Sequence, residues 1–158
     1  MWPVVPGTLP WSHEMVRPSI ILLANSSTGC LVYFLARTLH SVLTGGVFTF
    51  GDGTGGQLGH DDQTSQLCPQ VVVGCNDVFA VAAACGNEHT MIVTATGTLF
   101  SWGEGKCGAL GHGDRRAWFK PMRVQSLDAS DTVITCVACG PEYSAAASDH
   151  GTLFTWGR

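Results

Sequence analysis

The sequence predicts an all-β protein, an incomplete β-propeller of about two and a half four-stranded blades, and three observations carry that prediction. "VFTFGDGTGGQLGH" at Val47 to His60 recurs as "LFSWGEGKCGALGH" at Leu99 to His112, 52 residues on, and "LFTWGR" restarts the motif at Leu153. Self-similarity at a fixed period of about 50 residues marks propellers, solenoids and arrays. Twenty Gly and seven Pro, against few charged residues, suit many short strands joined by tight turns. Each repeat also divides into short apolar segments that supply about four strands, the number in a propeller blade.

The elements follow in order. "LHSVLTGGVFTFG" (39–51) reads as a shortened copy of "EHTMIVTATGTLFSWG", which aligns His40 and Ser41 with His89 and Thr90. After Leu-Gly-His a polar loop leads to Pro69 or Pro121 and then to "QVVV" or "MRVQ", a short strand with Pro at its mouth. "VFAVAAACG" (78–86) and "TVITCVACG" (132–140) come next, and their small side chains suit the inner strand, where sheets converge and Leu or Phe would not fit. "NEHTMIVTATG" (87–97) and "PEYSAAASDHG" (141–151) each give a strand and a turn closed by Gly97 or Gly151. In the strand that follows, Phe100 and Trp102, or Phe154 and Trp156, share one face by the period-two rule, with Leu99 or Leu153 on the other. Both faces are apolar, so the sheets are expected to stack and bury their Phe and Trp against one another around a common centre.

Residues 1–38 read as a loose or divergent N-terminal segment, with three Pro in the first ten residues, and 39–158 as the repeat array, truncated at its C-terminal end. The uncharged run from Pro18 to Ala36 contains "SIILLA" and "CLVYFLA", but "NSSTG" interrupts it with polar turn formers, which argues against a spanning helix. Asn25-Ser26-Ser27 spells a glycosylation sequon that matters only on an exported chain. The net charge of −4, with eight Lys and Arg and no basic run, gives no footprint for nucleic acid or anionic membrane. Seven Cys without a signal peptide fit reduced thiols and an intracellular protein, cytoplasmic or nuclear.

Several patterns imitate active sites. "GDGTGG" (51–56) and "GEGKCG" (103–108) satisfy the Gly-x-Gly-x-x-Gly pattern, yet no helix-forming segment follows to bind a phosphate, and turn geometry explains the glycines. Cys136 and Cys139, with Cys85 and His89, offer metal or redox ligands. Strand positions three apart face opposite ways, so packing is the better reading and no cofactor or metal is expected. His60 and His112 recur identically, which suits ring nitrogens bonded to loop backbone, and Glu88 and Glu142 are expected to accept backbone N–H bonds. Trp118 departs from the repeat. It sits in "DRRAWFKP" beside Arg115, Arg116 and Lys120, and these four are the candidate partner contacts, because Trp and Arg dominate interface energetics. Covering of the blade edge by Trp118 or Phe119 is the competing explanation.

Gly-x-Leu/Val-Phe-x-Trp/Phe-Gly, then Gly-x-Leu-Gly-His, then Pro, then Ala-Cys-Gly-x-Glu-His/Tyr-Thr/Ser, over Leu39 to Arg158, resembles the repeat of the regulator of chromosome condensation family. Phe50 in place of Trp and Tyr143 in place of His are departures from it. The resemblance implies a seven-bladed propeller as the complete fold and a non-enzymatic protein-interaction scaffold as the function. It also implies protein partners: small GTPases for exchange-factor members, ubiquitin-ligase or trafficking machinery for others. The rivals are a Cys/His metal protein or enzyme, and a truncated product without a function of its own. An open arc is expected to self-associate through its exposed blade edges.

Overall fold

The computed structural model describes residues 20–24, 31–39 and 42–158 other than 77 and 128–131, with side chains from residue 46 onward. The all-β expectation holds. Three antiparallel sheets follow one another along the chain. The first contains β1 (Ile20–Ala24), β2 (Leu31–Leu39), β3 (Val42–Gly51) and β4 (Gln66–Val71). The second contains β5 (Ala80–Cys85), β6 (His89–Thr94), β7 (Leu99–Gly103) and β8 (Trp118–Arg123). The third contains β9 (Ile134–Cys139), β10 (Tyr143–Ser148) and β11 (Leu153–Gly157). The uncharged run before residue 37 therefore carries two paired strands, and no helix among the described residues is long and apolar enough to cross a membrane. The sequon at Asn25 lies outside the described residues.

The 52-residue repeat is also a repeat of register. Phe48 faces Val71, Thr49 faces Gln70 and Gly51 faces Gln66; Phe100 faces Arg123, Ser101 faces Met122 and Gly103 faces Trp118. Both ladders carry an irregularity at the same place. One expectation is corrected. Pro69 and Pro121 lie inside β4 and β8, not at their mouths, because these are outer strands whose free edge needs no proline N–H. His40 and Ser41, aligned by sequence with His89 and Thr90, lie outside the described residues. Opposite Phe50 stands Leu31, as Thr90 stands opposite Trp102.

Two apolar layers hold the sheets together. Val47, Val72 and Cys75 of the first repeat pack with Ile92, Phe100 and Trp102 of the second. Met91, Val93, Leu99 and Val124 of the second pack with Ile134, Ala146, Phe154 and Trp156 of the third. The aromatic faces of the second and third sheets, with Phe100 and Trp102 and with Phe154 and Trp156, are buried against aliphatic residues of the sheet before them. Two aromatic faces would leave the next pair of faces with none, whereas an aromatic-to-aliphatic joint repeats indefinitely. The inner strands β5 and β9 run side by side, and their Ala and Cys residues permit that approach.

Glycine in Leu-Gly-His has a double reason. Gly59 has φ +77°, and a Cβ there would lie 2.7 Å from Nε1 of the fully buried Trp102. Gly113 has φ +82° but open space around it. Gly113→Ala is predicted to cost only the left-handed backbone penalty of about 1–2 kcal/mol. Gly59→Ala adds overpacking of about 1–3 kcal/mol to the same penalty, and denaturant unfolding of the two variants measures the difference.

Candidate functional site

The loops after β3 and β7 lie on one rim, and the repeat builds them from the third strand upward. Thr49 and Ser101 alternate with the aromatics, and each buried hydroxyl reaches into its own loop. Thr49 Oγ1 donates to the Leu58 carbonyl at 2.6 Å and lies 2.9 Å from His60 Nε2. Ser101 Oγ donates to the Leu110 carbonyl at 2.7 Å and lies 3.0 Å from His112 Nε2. Because each hydroxyl spends its only hydrogen on a carbonyl, the histidine nitrogen must be the donor, which fixes the Nε2–H tautomer in both repeats. The rings are thus tied to a strand hydroxyl, not to loop backbone as the sequence suggested. Burial lowers the His112 pKa, with Ser101 and Asp114 offsetting part of the effect.

The loop then reaches the next sheet. The Gln57 carbonyl accepts from Thr90 Oγ1 at 2.8 Å and Trp102 Nε1 at 2.9 Å. Its counterpart, the Ala109 carbonyl, accepts from Ser144 Oγ at 2.8 Å and Trp156 Nε1 at 2.7 Å. His89 Nε2 adds a third link, donating to Ser144 Oγ at 2.9 Å, and is itself only 2% exposed. Sequence reasoning missed this joint. Its acceptor is a backbone carbonyl, carried by Gln in one repeat and Ala in the next; the legible trace was the recurrence of Thr90 and Ser144 beside Trp102 and Trp156.

The four contact candidates take different places. Trp118 begins β8, and its half-buried ring meets His112 edge-on with centroids 6.0 Å apart. Lys120 Nζ pairs with Asp61 Oδ2 at 2.8 Å across to the first repeat's loop, where Phe119 covers Gly56 and its carbonyl accepts the Asp61 N–H. Arg115 and Arg116 are exposed, the latter 3.9 Å from Asp114. Arg115 also lines a cavity with Cys107 and Arg158. Arg115 and Arg116 thus stand on the loop leading into β8, Trp118 is the first residue of that strand, and Lys120 points to the neighbouring repeat.

The metal reading finds no support in the ligand geometry. Cys136 is exposed, whereas Cys139 is turned into the layer between sheets and burial pushes its thiol up to about 12. No group of three or more His, Cys, Asp or Glu among the described residues could hold a metal ion. The glycine loops lead into single turns at most, not into phosphate-binding helices. Glu88 and Glu142 are corrected: their backbone carbonyls, not their carboxylates, take the N–H groups of Glu104 and Arg158. The side chains reach out to Lys106 and to Arg158.

A model of the regulator of chromosome condensation (RCC1) repeat matches residues 44–93 and 96–147, and a second model of that repeat matches 80–109. The chain belongs to the regulator of chromosome condensation repeat family. Human E3 ubiquitin-protein ligase HERC2 is 36% identical over 116 residues, covering 72% of this chain and 2% of the ligase. Human protein RCC2 is 34% identical over 140 residues, covering 82% of this chain and 26% of its own length. The fold matches that of Prp20p from Saccharomyces cerevisiae, with a TM-score of 0.63 at 21% identity over 82% of this chain and 31% of that one. The chain thus spans about a quarter or less of these curated relatives. Each matched repeat contains the acceptor carbonyl of a joint, Gln57 or Ala109, just before its Leu-Gly-His, together with the hydroxyl donor Thr90 or Ser144, while the indole donor lies beyond the match, at Trp102 or Trp156.

Burial in the joint pushes the His89 pKa down to about 4 from an ordinary 6.5. Between those values the unfolded chain binds a proton that the folded chain refuses, so stability falls as pH drops through the window, by on the order of 3 kcal/mol at most. His89→Gln keeps a donor but removes the titration. Its stability curve from pH 7 to 4 is predicted to be flatter than that of the parent, as read from urea midpoints.

Proposed function

We propose that the chain is a non-enzymatic protein-interaction scaffold, an arc of propeller whose loop rim docks a protein partner, and that the partner class is a small GTPase regulated or exchanged by the longer protein. The reading places the chain in the cytoplasm or nucleus. One observation carries it: the polar groups that recur between repeats are consumed in holding the blades together, whereas Arg115 and Arg116, which do not recur, stand exposed on the loop that leads into Trp118 at the start of β8. Within that loop Asp114 accepts the Arg116 N–H in a local turn, and Trp118 after it stands against His112, contacts that limit the ordering entropy lost on binding. The yeast relative's structure is described together with its binding properties to Gsp1p and histones. Similarity to HERC2 favours ubiquitin machinery as a second partner class.

The full chain, immobilised, is expected to capture a nucleotide-free Ran-type GTPase. Substituting Arg115→Ala and Arg116→Ala together should weaken capture by about fivefold or more at an unchanged melting temperature. Capture indifferent to this pair removes the loop from the interface, and no capture removes the small GTPase as partner. Trp118→Ala is the less clean probe, since it also deletes packing on His112.

A further inference from the structure

The first repeat holds a cavity of about 620 Å³ between its loop and its outer strand, lined by His60, Asp62, Gln66, Gln70 and Val71, with Lys120 at the border to the next repeat. That volume lies in the range of sites that take ligands, about 300–1,000 Å³. The second repeat shows what such a place is shaped for. Gln66 and Trp118 are counterparts, each opposite the glycine that ends the third strand. The Trp118 indole stands edge-on to His112. In the first repeat the Gln66 amide instead accepts from Gln70 Nε2 at 2.8 Å, along its own strand, and the ring beside His60 is missing.

The rim differs in the same sense. In the second repeat Asp114 has a cation of its own chain, Arg116, at 3.9 Å. In the first repeat Thr64 stands in the place of Arg116, and the exposed Asp62 accepts from its N–H, at 3.0 Å, and from its hydroxyl, neutral donors in place of a cation. Val71, 41% exposed, and Val73, 71% exposed, replace Arg123 and Gln125 and make the strand side apolar. The first repeat therefore lacks the aromatic ring that the chain supplies to itself in the second, and the cation at its groove, Lys120, is set against Asp61 at 2.8 Å while Asp62 is held by Thr64.

We propose that this groove is a second docking site, and that it receives from a protein partner an aromatic side chain, edge-on to His60, with a neighbouring Arg or Lys set against Asp62. The proposal rests on the reading of the chain as an interaction scaffold, but on a different repeat from the Arg115 loop. The two are separable: loss of one site leaves the other's binding intact.

The probe is an acetylated, amidated Arg-Ala-Trp peptide titrated into the full chain and followed by amide chemical shifts. Saturable shifts confined to the loop around His60 and to β4 are expected. Replacing the peptide's Trp by Ala, which cannot disturb the protein's fold, should weaken binding by about tenfold or more. Gln66→Trp, which fills the groove as the second repeat does, should do the same, and Asp62→Asn should weaken binding severalfold and remove its salt dependence. Absence of shifts at His60, equal affinity for an Arg-Ala-Leu peptide, or binding unchanged in both protein variants would overturn the proposal. So would sedimentation showing that the chain self-associates and that Trp118→Ala abolishes this, since the occupant would then be a second copy. Failure of the peptide alongside intact GTPase capture refutes the groove alone.

Discussion

Everything in this arc depends on one backbone carbonyl per repeat, at Gln57 and Ala109, that accepts two hydrogen bonds from the following sheet. Apolar burial alone would bring two sheets together in many registers, because it is nearly indifferent to direction. A carbonyl buried between them without partners would cost about 1–3 kcal/mol, so only arrangements that place a hydroxyl and an indole N–H around it are tolerated. The joint thus selects one stacking out of many that would bury similar area. It also explains the residue choices around it: Trp at 102 and 156 supplies both the apolar face and the donor, which Phe could not do.

From the joint the loop geometry follows. Gly59 and Gly111 must be bare, since the donor indole of the next sheet lies against each of them. Thr49 and Ser101 hold the adjacent carbonyl from inside the same sheet, and the histidine that follows closes the hydroxyl's remaining valence. The loop is then anchored to two sheets at once. Its outer side chains take no part in the joint and differ between repeats, as Asp61, which pairs with Lys120, against Gly113 and Thr64 against Arg116 do. A rigid frame with variable tips is the arrangement in which binding residues usually sit.

Much of this was legible from the chain. The period, the small inner strands and the alternating third strand each state a physical requirement in residue type, and β5, β7, β9 and β11 appear where those requirements put them. What the letters hid was relational. Pro69 marks a strand interior here because β4 is an outer strand, a fact about neighbours and not about proline. The ladder sets Leu31 opposite Phe50, where the second repeat sets Thr90 opposite Trp102, a pairing that no resemblance of letters around Leu31 announces. Trp118 was conspicuous for its flanking cations, but that its ring would lie on His112, and that Gln66 would decline the same place, required the register of two ladders.

The joint has a direction, and this makes the two ends of the arc chemically different. The acceptor always belongs to the earlier sheet and the donors to the later one. In the first sheet the register positions of the two donors are held by Leu31 and Phe50, residue types that have no N–H or O–H on the side chain to give. A preceding loop of the same kind would find neither donor at those two register positions. At the other end Ser144 and Trp156 are fully engaged with Ala109, while Leu153 is 68% exposed and Tyr143 51%, against 2% for both of their counterparts Leu99 and His89. That face retains the aliphatic surface on which another sheet's Phe and Trp would pack, and Tyr143 keeps a hydroxyl where His89 keeps its ring nitrogen. The first sheet is accordingly suited to ending a series of hydrogen-bonded joints and the third to continuing one.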